Sequence, residues 1–260
     1  MIHPRRRMTF TPTVIVTACA FVCPVQGLAA GINMQWNDCP LGLTATRNRD
    51  FACDTNTGSH LLVASFDPPA GLTMVTGVTG HVVIQSETCP LNSWWQFYNP
   101  GACRQSVVSA DVVVREHQGA CADYWHGLGT TEVTAIQPYG NNYRLALIEV
   151  TVAIPDAYAG PVEPGTEYYA FNLVIRNTKS VGTGACAGCA EPMCLMLLEL
   201  GLNQPPGTPG GSPYLSNPIR DNYATWQGGS FCTCVHCYPP APCATPVFNE
   251  TWGQIKSLYR

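Results

Sequence analysis

The stretch Glu167-Tyr168-Tyr169-Ala170-Phe171-Asn172-Leu173-Val174-Ile175-Arg176 decides the fold. Tyr169, Phe171, Leu173 and Ile175 fall on one side and Asn172 and Arg176 on the other, the period of two that a strand with one buried face requires. A glycine-rich loop follows, Gly182-Thr183-Gly184-Ala185-Cys186-Ala187-Gly188-Cys189, and then a second apolar run, Met193 to Leu202. That run is ambiguous. Pro192 and Gly201 punctuate helices, and Met, Leu and Glu favour them. Cys194, Met196, Leu198, Leu200 and Leu202 equally line one face of a strand. We read a strand, because every neighbouring segment is β. Two sheet-forming segments with cysteines between them describe the stapled centre of a small-core domain.

Working back from this centre, Tyr143 to Ile154 places Ile148, Val150, Val152 and Ile154 on one face and Glu149 and Thr151 on the other. Val107 to Arg115 has the clearest alternation, with Val108, Ala110, Val112 and Val114 opposite Ser109, Asp111 and Arg115, as in a half-buried antiparallel strand. Leu61 to Phe66, His81 to Ser86 and Thr131 to Gln137 read as further strands, and Tyr214 to Gly229 as one more. Residues 31–60 read as irregular. Asn203 to Pro213 is a Pro/Gly-rich loop. Short strands separated by regular turns predict an all-β chain, an antiparallel β-sandwich over 31–230. A Cys/Pro-rich tail, 231–260, completes the chain. Its last ten residues form a predicted short amphipathic helix with Trp252, Ile255 and Tyr259 on one side.

Composition narrows the function classes. Apolar residues make up 46% of the 260 and charged residues 12%, which suits a globular chain. The net charge is −4, with 13 basic and 17 acidic side chains. Nucleic acid is not an expected partner, because its affinity comes largely from clustered Lys and Arg. Residues 1–30 read as an export signal: Arg5-Arg6-Arg7, an apolar stretch Thr13 to Val22, and small residues at Gly27-Leu28-Ala29-Ala30. A lipoprotein reading rests on Val16-Thr17-Ala18-Cys19, although the apolar stretch runs past Cys19. No later run approaches the ~20 apolar residues that span a bilayer. A secreted, periplasmic or cell-surface protein is expected.

Twelve cysteines follow residue 30. An even count behind an export signal predicts disulfides, and we assign Cys39, Cys53, Cys103, Cys121, Cys186, Cys189, Cys194 and Cys232 to them. Loop closure favours the nearest partners, Cys39 with Cys53 and Cys103 with Cys121. The Cys186–Cys194 segment is expected to reach the tail through Cys232, Cys234 or Cys237. Cys186-x2-Cys189 and Cys234-x2-Cys237 also have zinc-knuckle and redox spacing, but export favours disulfides, so no metal and no cofactor is expected.

Several motifs in order, Trp36-Asn37-Asp38-Cys39, Phe51-Ala52-Cys53-Asp54-Thr55-Asn56, Trp94-Trp95-Gln96-Phe97, Gly101-Ala102-Cys103-Arg104-Gln105, Cys186-Ala187-Gly188-Cys189, Trp226-Gln227-Gly228-Gly229 and Thr251-Trp252-Gly253, resemble a group of uncharacterised secreted β-rich proteins of environmental bacteria. The resemblance implies export and one shared domain, and brings no activity with it.

Enzyme signatures such as G-x-S-x-G, H-E-x-x-H and the P-loop do not occur. Glu116-His117 and Asp123-Tyr124-Trp125-His126 place acids beside histidines, and read as surface polar residues near loops. Asp50, Asp54 and Asn56 offer oxygen atoms without the spacing of an EF-hand. Trp94 and Trp95 are the candidate ligand-binding residues, since flat aromatic faces stack on sugar rings. If that stretch is a strand, one of the two is expected to be buried. The reading is therefore a non-catalytic structural, adhesive or assembly module whose partner is a surface protein or glycan. A carbohydrate-binding module stands second and a hydrolase third.

Overall fold

The structure is a computed structural model that describes residues 30–97, 100–116, 118–136, 139, 143–228 and 232. The expected export signal up to Ala29, and the tail with its terminal helix apart from Cys232, lie outside the described residues. Among the described residues eleven strands run in chain order: β1 (Gly31–Trp36), β2 (Asn48–Arg49), β3 (Ser59–Asp67), β4 (Gly77–Ser86), β5 (Val108–Asp111), β6 (Thr130–Ile136), β7 (Leu145–Ala153), β8 (Tyr168–Arg176), β9 (Met193–Asn203), β10 (Tyr214–Leu215) and β11 (Tyr223–Trp226). The chain is a β-sandwich. One sheet has the order β1-β3-β8-β5; the other has β2-β11-β9-β4-β7-β6, with β10 added on β9. All pairings are antiparallel except β11 with β2.

The alternating residues fill the space between the sheets. Ile148, Val150 and Val152 of β7 and Phe171, Leu173 and Ile175 of β8 are buried in one cluster with Leu195, Leu197, Leu200 and Leu202 of β9. The sheets approach closely where β4 carries Gly80: a Cβ there would stand 2.6 Å from the Phe171 ring. Met193–Asn203 is a strand, paired with β4 along nearly its whole length. Tertiary pairing overrides the helix propensity of its Met and Leu side chains.

Three expectations change. Residues 31–36 are not irregular; they form β1, whose Ile32, Met34 and Trp36 are fully buried. The strand expected over Val107 to Arg115 stops at Asp111. There the carboxylate of Asp111 takes hydrogen bonds from Val113 N (3.2 Å) and from both NH groups of Arg115 (3.1 and 2.7 Å), which folds the chain back on itself. The third change is in the cysteine pairs. Cys39 bonds Cys121 and Cys103 bonds Cys186, not Cys53 and Cys121. Cys53 bonds Cys189 and Cys194 bonds Cys232, and Cys89 is also disulfide-bonded. Loop-closure entropy favours near neighbours in the unfolded chain, but the pairing belongs to whichever loops the sheets bring together. Cys186 and Cys189 therefore go to different partners. The disulfides indicate an extracellular or periplasmic protein. Among the described residues no helix is long and apolar enough to cross a membrane.

Candidate functional site

Trp94 and Trp95 sit on a short 3-10 turn, Ser93–Trp95, rather than on a strand, so their rings do not point to opposite faces. Both are fully buried, which withdraws the ring faces a sugar would need. Trp94 Nε1 donates to Ser180 Oγ (3.0 Å) and Trp95 Nε1 to Gly188 O (3.1 Å). The two pack around Trp226, with ring centres 5.1 and 5.2 Å away. Arg104 lies over the Trp94 ring at 3.4 Å and donates to Trp94 O (2.9 Å) and to Arg176 O. No carboxylate faces it among the described residues, and burial pulls its guanidinium down to about 9. This is a structural knot: cation–π contact and two carbonyls hold the turn against the end of β8.

Two of the other expected polar residues, Asp123 and Asn56, are structural too. Asp123 Oδ1 accepts from Trp125 N (2.9 Å) and His126 N (3.2 Å), shaping a turn. Asn56 clamps two loops, accepting from Ser180 N and Val181 N and donating to Val181 O. His117, paired with Glu116 in the sequence, lies outside the described residues. No group of His, Cys, Asp and Glu that could hold a metal occurs among the described residues.

A cleft of about 420 Å³ lies where the end of β1 meets the segment after β5, lined by Asp38, Leu41, Leu43, Thr44, Glu116 and Ala120 among others. Its first wall is a loop that leaves β1 at Trp36 and returns to it at Thr46, through Trp36 N→Thr46 O (2.8 Å) and Thr46 N→Trp36 O (3.2 Å). Inside this loop Gly42 N donates to Cys39 O (3.0 Å), closing a four-residue turn. Pro40 sets the second position of that turn, and Leu41 occupies the third at φ 76°. That is the glycine position of a type II turn, and a left-handed Leu costs roughly 1–2 kcal/mol. Leu41 and Leu43 nevertheless stand 76% and 104% exposed.

The second wall is pinned from beneath by polar groups on the outer side of β8. Asn172, expected on a solvent face, is fully buried. Its Nδ2 donates to Asp111 Oδ1 (2.9 Å), and its Oδ1 accepts from Gln118 Nε2 (2.9 Å). Gln118 Nε2 also donates to Asn37 O (3.1 Å) and so joins the two walls, as the Cys39–Cys121 bridge does covalently. Burial works against the Asp111 charge, but its bonds from Arg115 and Asn172 prevail and hold its pKa below the ordinary range.

Asp38 forms the floor at 2% exposure. Its Oδ1 accepts from Cys39 N (2.8 Å). Its Oδ2 accepts no hydrogen bond, and no cation pairs with it, among the described residues. A Cβ on Gly42 would lie 2.0 Å from that Oδ2, so only glycine leaves the carboxylate its place. The cleft thus combines a rigid frame, two solvated leucines and a buried carboxylate without a counter-charge. Nothing in the alternation or the motifs of the chain points to this cleft. Its one legible signal was Cys39-Pro40-Leu41-Gly42-Leu43, two leucines in a short turn beside a cysteine.

A second polar group lies across the outer face of the larger sheet. The register sets His81 of β4 opposite Glu149 of β7 and Glu199 of β9. His81 Nε2 meets Glu149 Oε2 at 2.9 Å, and Nδ1 meets Glu199 Oε1 at 2.8 Å. Carboxylates only accept, so two such contacts require a proton on each ring nitrogen. Burial opposes that charge, yet the two carboxylates outweigh it and the His81 pKa is raised. A raised folded value adds stability below the ordinary pKa of about 6.5, and this is lost as pH rises through the folded value. The gap in thermal midpoint between wild type and His81→Gln is therefore expected to be wider at pH 5.5 than at pH 8.5. The exposed pair limits the effect to about 1 kcal/mol. A gap unchanged across this range, read by calorimetry, would show the imidazolium to be absent.

No protein-family model and no curated protein matches this sequence. Among solved structures, the chain is similar to a cohesin module from Clostridium perfringens ATCC13124 family 33 glycoside hydrolase. Identity is 8%, the TM-score 0.33, and the match covers 76% of this chain and 94% of that one.

Proposed function

We propose that this is a secreted, non-catalytic recognition module that serves adhesion or assembly at or outside the cell envelope, attaching through the cleft at the end of β1. One observation carries the reading. Leu41 is held both in a conformation unfavourable to it and in water, on a loop whose base is braced by the Cys39–Cys121 bridge. Burying a leucine side chain contributes about 1.5–3 kcal/mol, so covering Leu41 and Leu43 is a source of binding energy left unused in the free chain. Their frame is already rigid, which lowers the ordering cost of association.

The test uses the purified oxidised protein and cells of the producing strain from which its gene has been deleted. Wild type is expected to sediment with those cells. The double variant Leu41→Gly, Leu43→Ser is expected to bind at least about tenfold more weakly, a difference of about 1.4 kcal/mol. Its thermal midpoint should be unchanged or higher, because glycine relieves the turn. Equal retention of the two proteins, or none of wild type, would overturn the proposal.

A further inference from the structure

We propose that the occupant of this cleft is a cationic side chain, arginine or lysine, carried by an apolar-flanked segment of a partner polypeptide. The inference rests on the recognition reading above and specifies its chemistry. Asp38 carries it. Its Oδ1 is held by Cys39 N, while Oδ2 accepts no hydrogen bond and meets no counter-ion among the described residues, so one carboxylate oxygen of an otherwise buried side chain is left open to a donor entering the cleft. The cations nearby in sequence are already engaged. Arg115, next to Glu116 in the chain, gives both NH groups to Asp111, and Arg47 is paired with Asp221 at 2.7 Å. Glu116 on the opposite wall adds a second acid to the lining.

The shape fits the same occupant. Gly42 lets the Asp38 carboxylate lie against the turn, where a Cβ would collide with it, and so holds the carboxylate in the cleft lining. Leu41 and Leu43 flank the entrance and present aliphatic surface. Arginine and lysine both bury an aliphatic stem while delivering charge at its tip. A guanidinium or ammonium reaching Asp38 would satisfy the open oxygen with a charge-assisted bond. The leucines would cover the stem and the apolar neighbours of the cationic residue. The net charge of −4 adds a long-range attraction for such a segment.

The probe is the capped tripeptide Ac-Leu-Arg-Leu-NH2. Its control, Ac-Leu-citrulline-Leu-NH2, keeps the shape and removes the charge. Each is titrated into the full oxidised chain while backbone amide resonances are followed. The arginine peptide is expected to shift the amides of Cys39, Leu41, Gly42, Gly119 and Ala120 saturably. Citrulline is expected to bind at least about tenfold more weakly. Asp38→Asn should abolish the difference between the peptides, because its amide oxygen still accepts from Cys39 N and only the charge is lost. Affinity for the arginine peptide should fall as salt is raised, since the cleft is open to screening.

Equal binding of both peptides, or full arginine binding by Asp38→Asn, would overturn the inference. So would calcium alone producing the same shifts and displacing the peptide, or the same shifts arising on concentrating the protein without peptide. Those outcomes would assign the cleft to a metal ion or to a second copy of the chain. The cell-retention experiment separates the two proposals. Retention that depends on Leu41 and Leu43 but not on charge removes only the cationic occupant. Charge-selective peptide binding without cell retention removes only the adhesive role.

Discussion

Trp226→Ala is expected to destabilise the domain by about 3–5 kcal/mol, the range for removing a fully buried tryptophan. The ring is the hub of the aromatic cluster. It stacks on Phe51 at 4.1 Å and meets His60, Trp94, Trp95 and Trp36 at 4.9–6.0 Å. Its Nε1 donates to Cys189 O at 2.6 Å, so alanine leaves a cavity and a carbonyl that keeps only the longer bond from Gln227 Nε2 at 3.4 Å. The neighbours cannot collapse into the space easily. Trp94 is held by Arg104, and Cys189 by its bridge to Cys53. Trp226→Phe should lie between the two, retaining most of the packing and losing the hydrogen bond. Urea unfolding of the oxidised proteins measures both. A loss under about 1 kcal/mol for alanine would mean that the cluster does not belong to the cooperative unit.

The second large effect is expected on removing the Cys53–Cys189 bridge with the paired change Cys53→Ser, Cys189→Ser. The sequence separation is 136 residues, which alone points to about 5 kcal/mol in the chain-entropy model. The other bridges shorten the path. From Cys53 the chain runs 14 residues back to Cys39, crosses to Cys121, runs 18 to Cys103, crosses to Cys186 and reaches Cys189 three residues later. The ring closed by the bridge is therefore about 35 residues, and the expected loss is about 4 kcal/mol. The urea m-value should rise with it, because the unfolded chain becomes more open. If the loss approached the value for the full separation, the other two bridges would not be formed in the protein studied. A loss near zero would show that the loops carrying Cys53 and Cys189 are held by other contacts, chiefly Gln227, whose Nε2 donates to Phe51 O (2.8 Å).

Both effects depend on contacts between distant segments, and this marks the limit of what the residues alone could tell. Alternation in Tyr169 to Ile175 and Ile148 to Ile154 identified strands and their buried faces, because side-chain direction along a strand is a local property. The cysteine count likewise identified an oxidised chain, because it depends on composition alone. Pairing was not local. The nearest-neighbour rule describes the unfolded ensemble, whereas Cys39 meets Cys121 because Gln118 and the Asn172 network seat the segment after β5 beside the end of β1. Trp94 and Trp95 were read as if on a strand, but backbone contacts to the loop carrying Ala187 and Gly188 hold them on a turn that buries both rings.

The sites were the least legible part. Glu149, His81 and Glu199 are 68 and 118 residues apart in the two contacts, and only the register of three strands aligns them. Asp38 reads in the sequence as an ordinary loop acid. It becomes a buried carboxylate without a counter-charge only when the segment after β5 closes over it. Local sequence determined most of the longer strands, the inward faces of those around Ile148 and Phe171, and the presence of disulfides. The packing of one sheet against the other, and of loops over the sheet ends, decided the disulfide pairs, the aromatic knot and the cleft, because each is made by residues that the chain itself holds far apart.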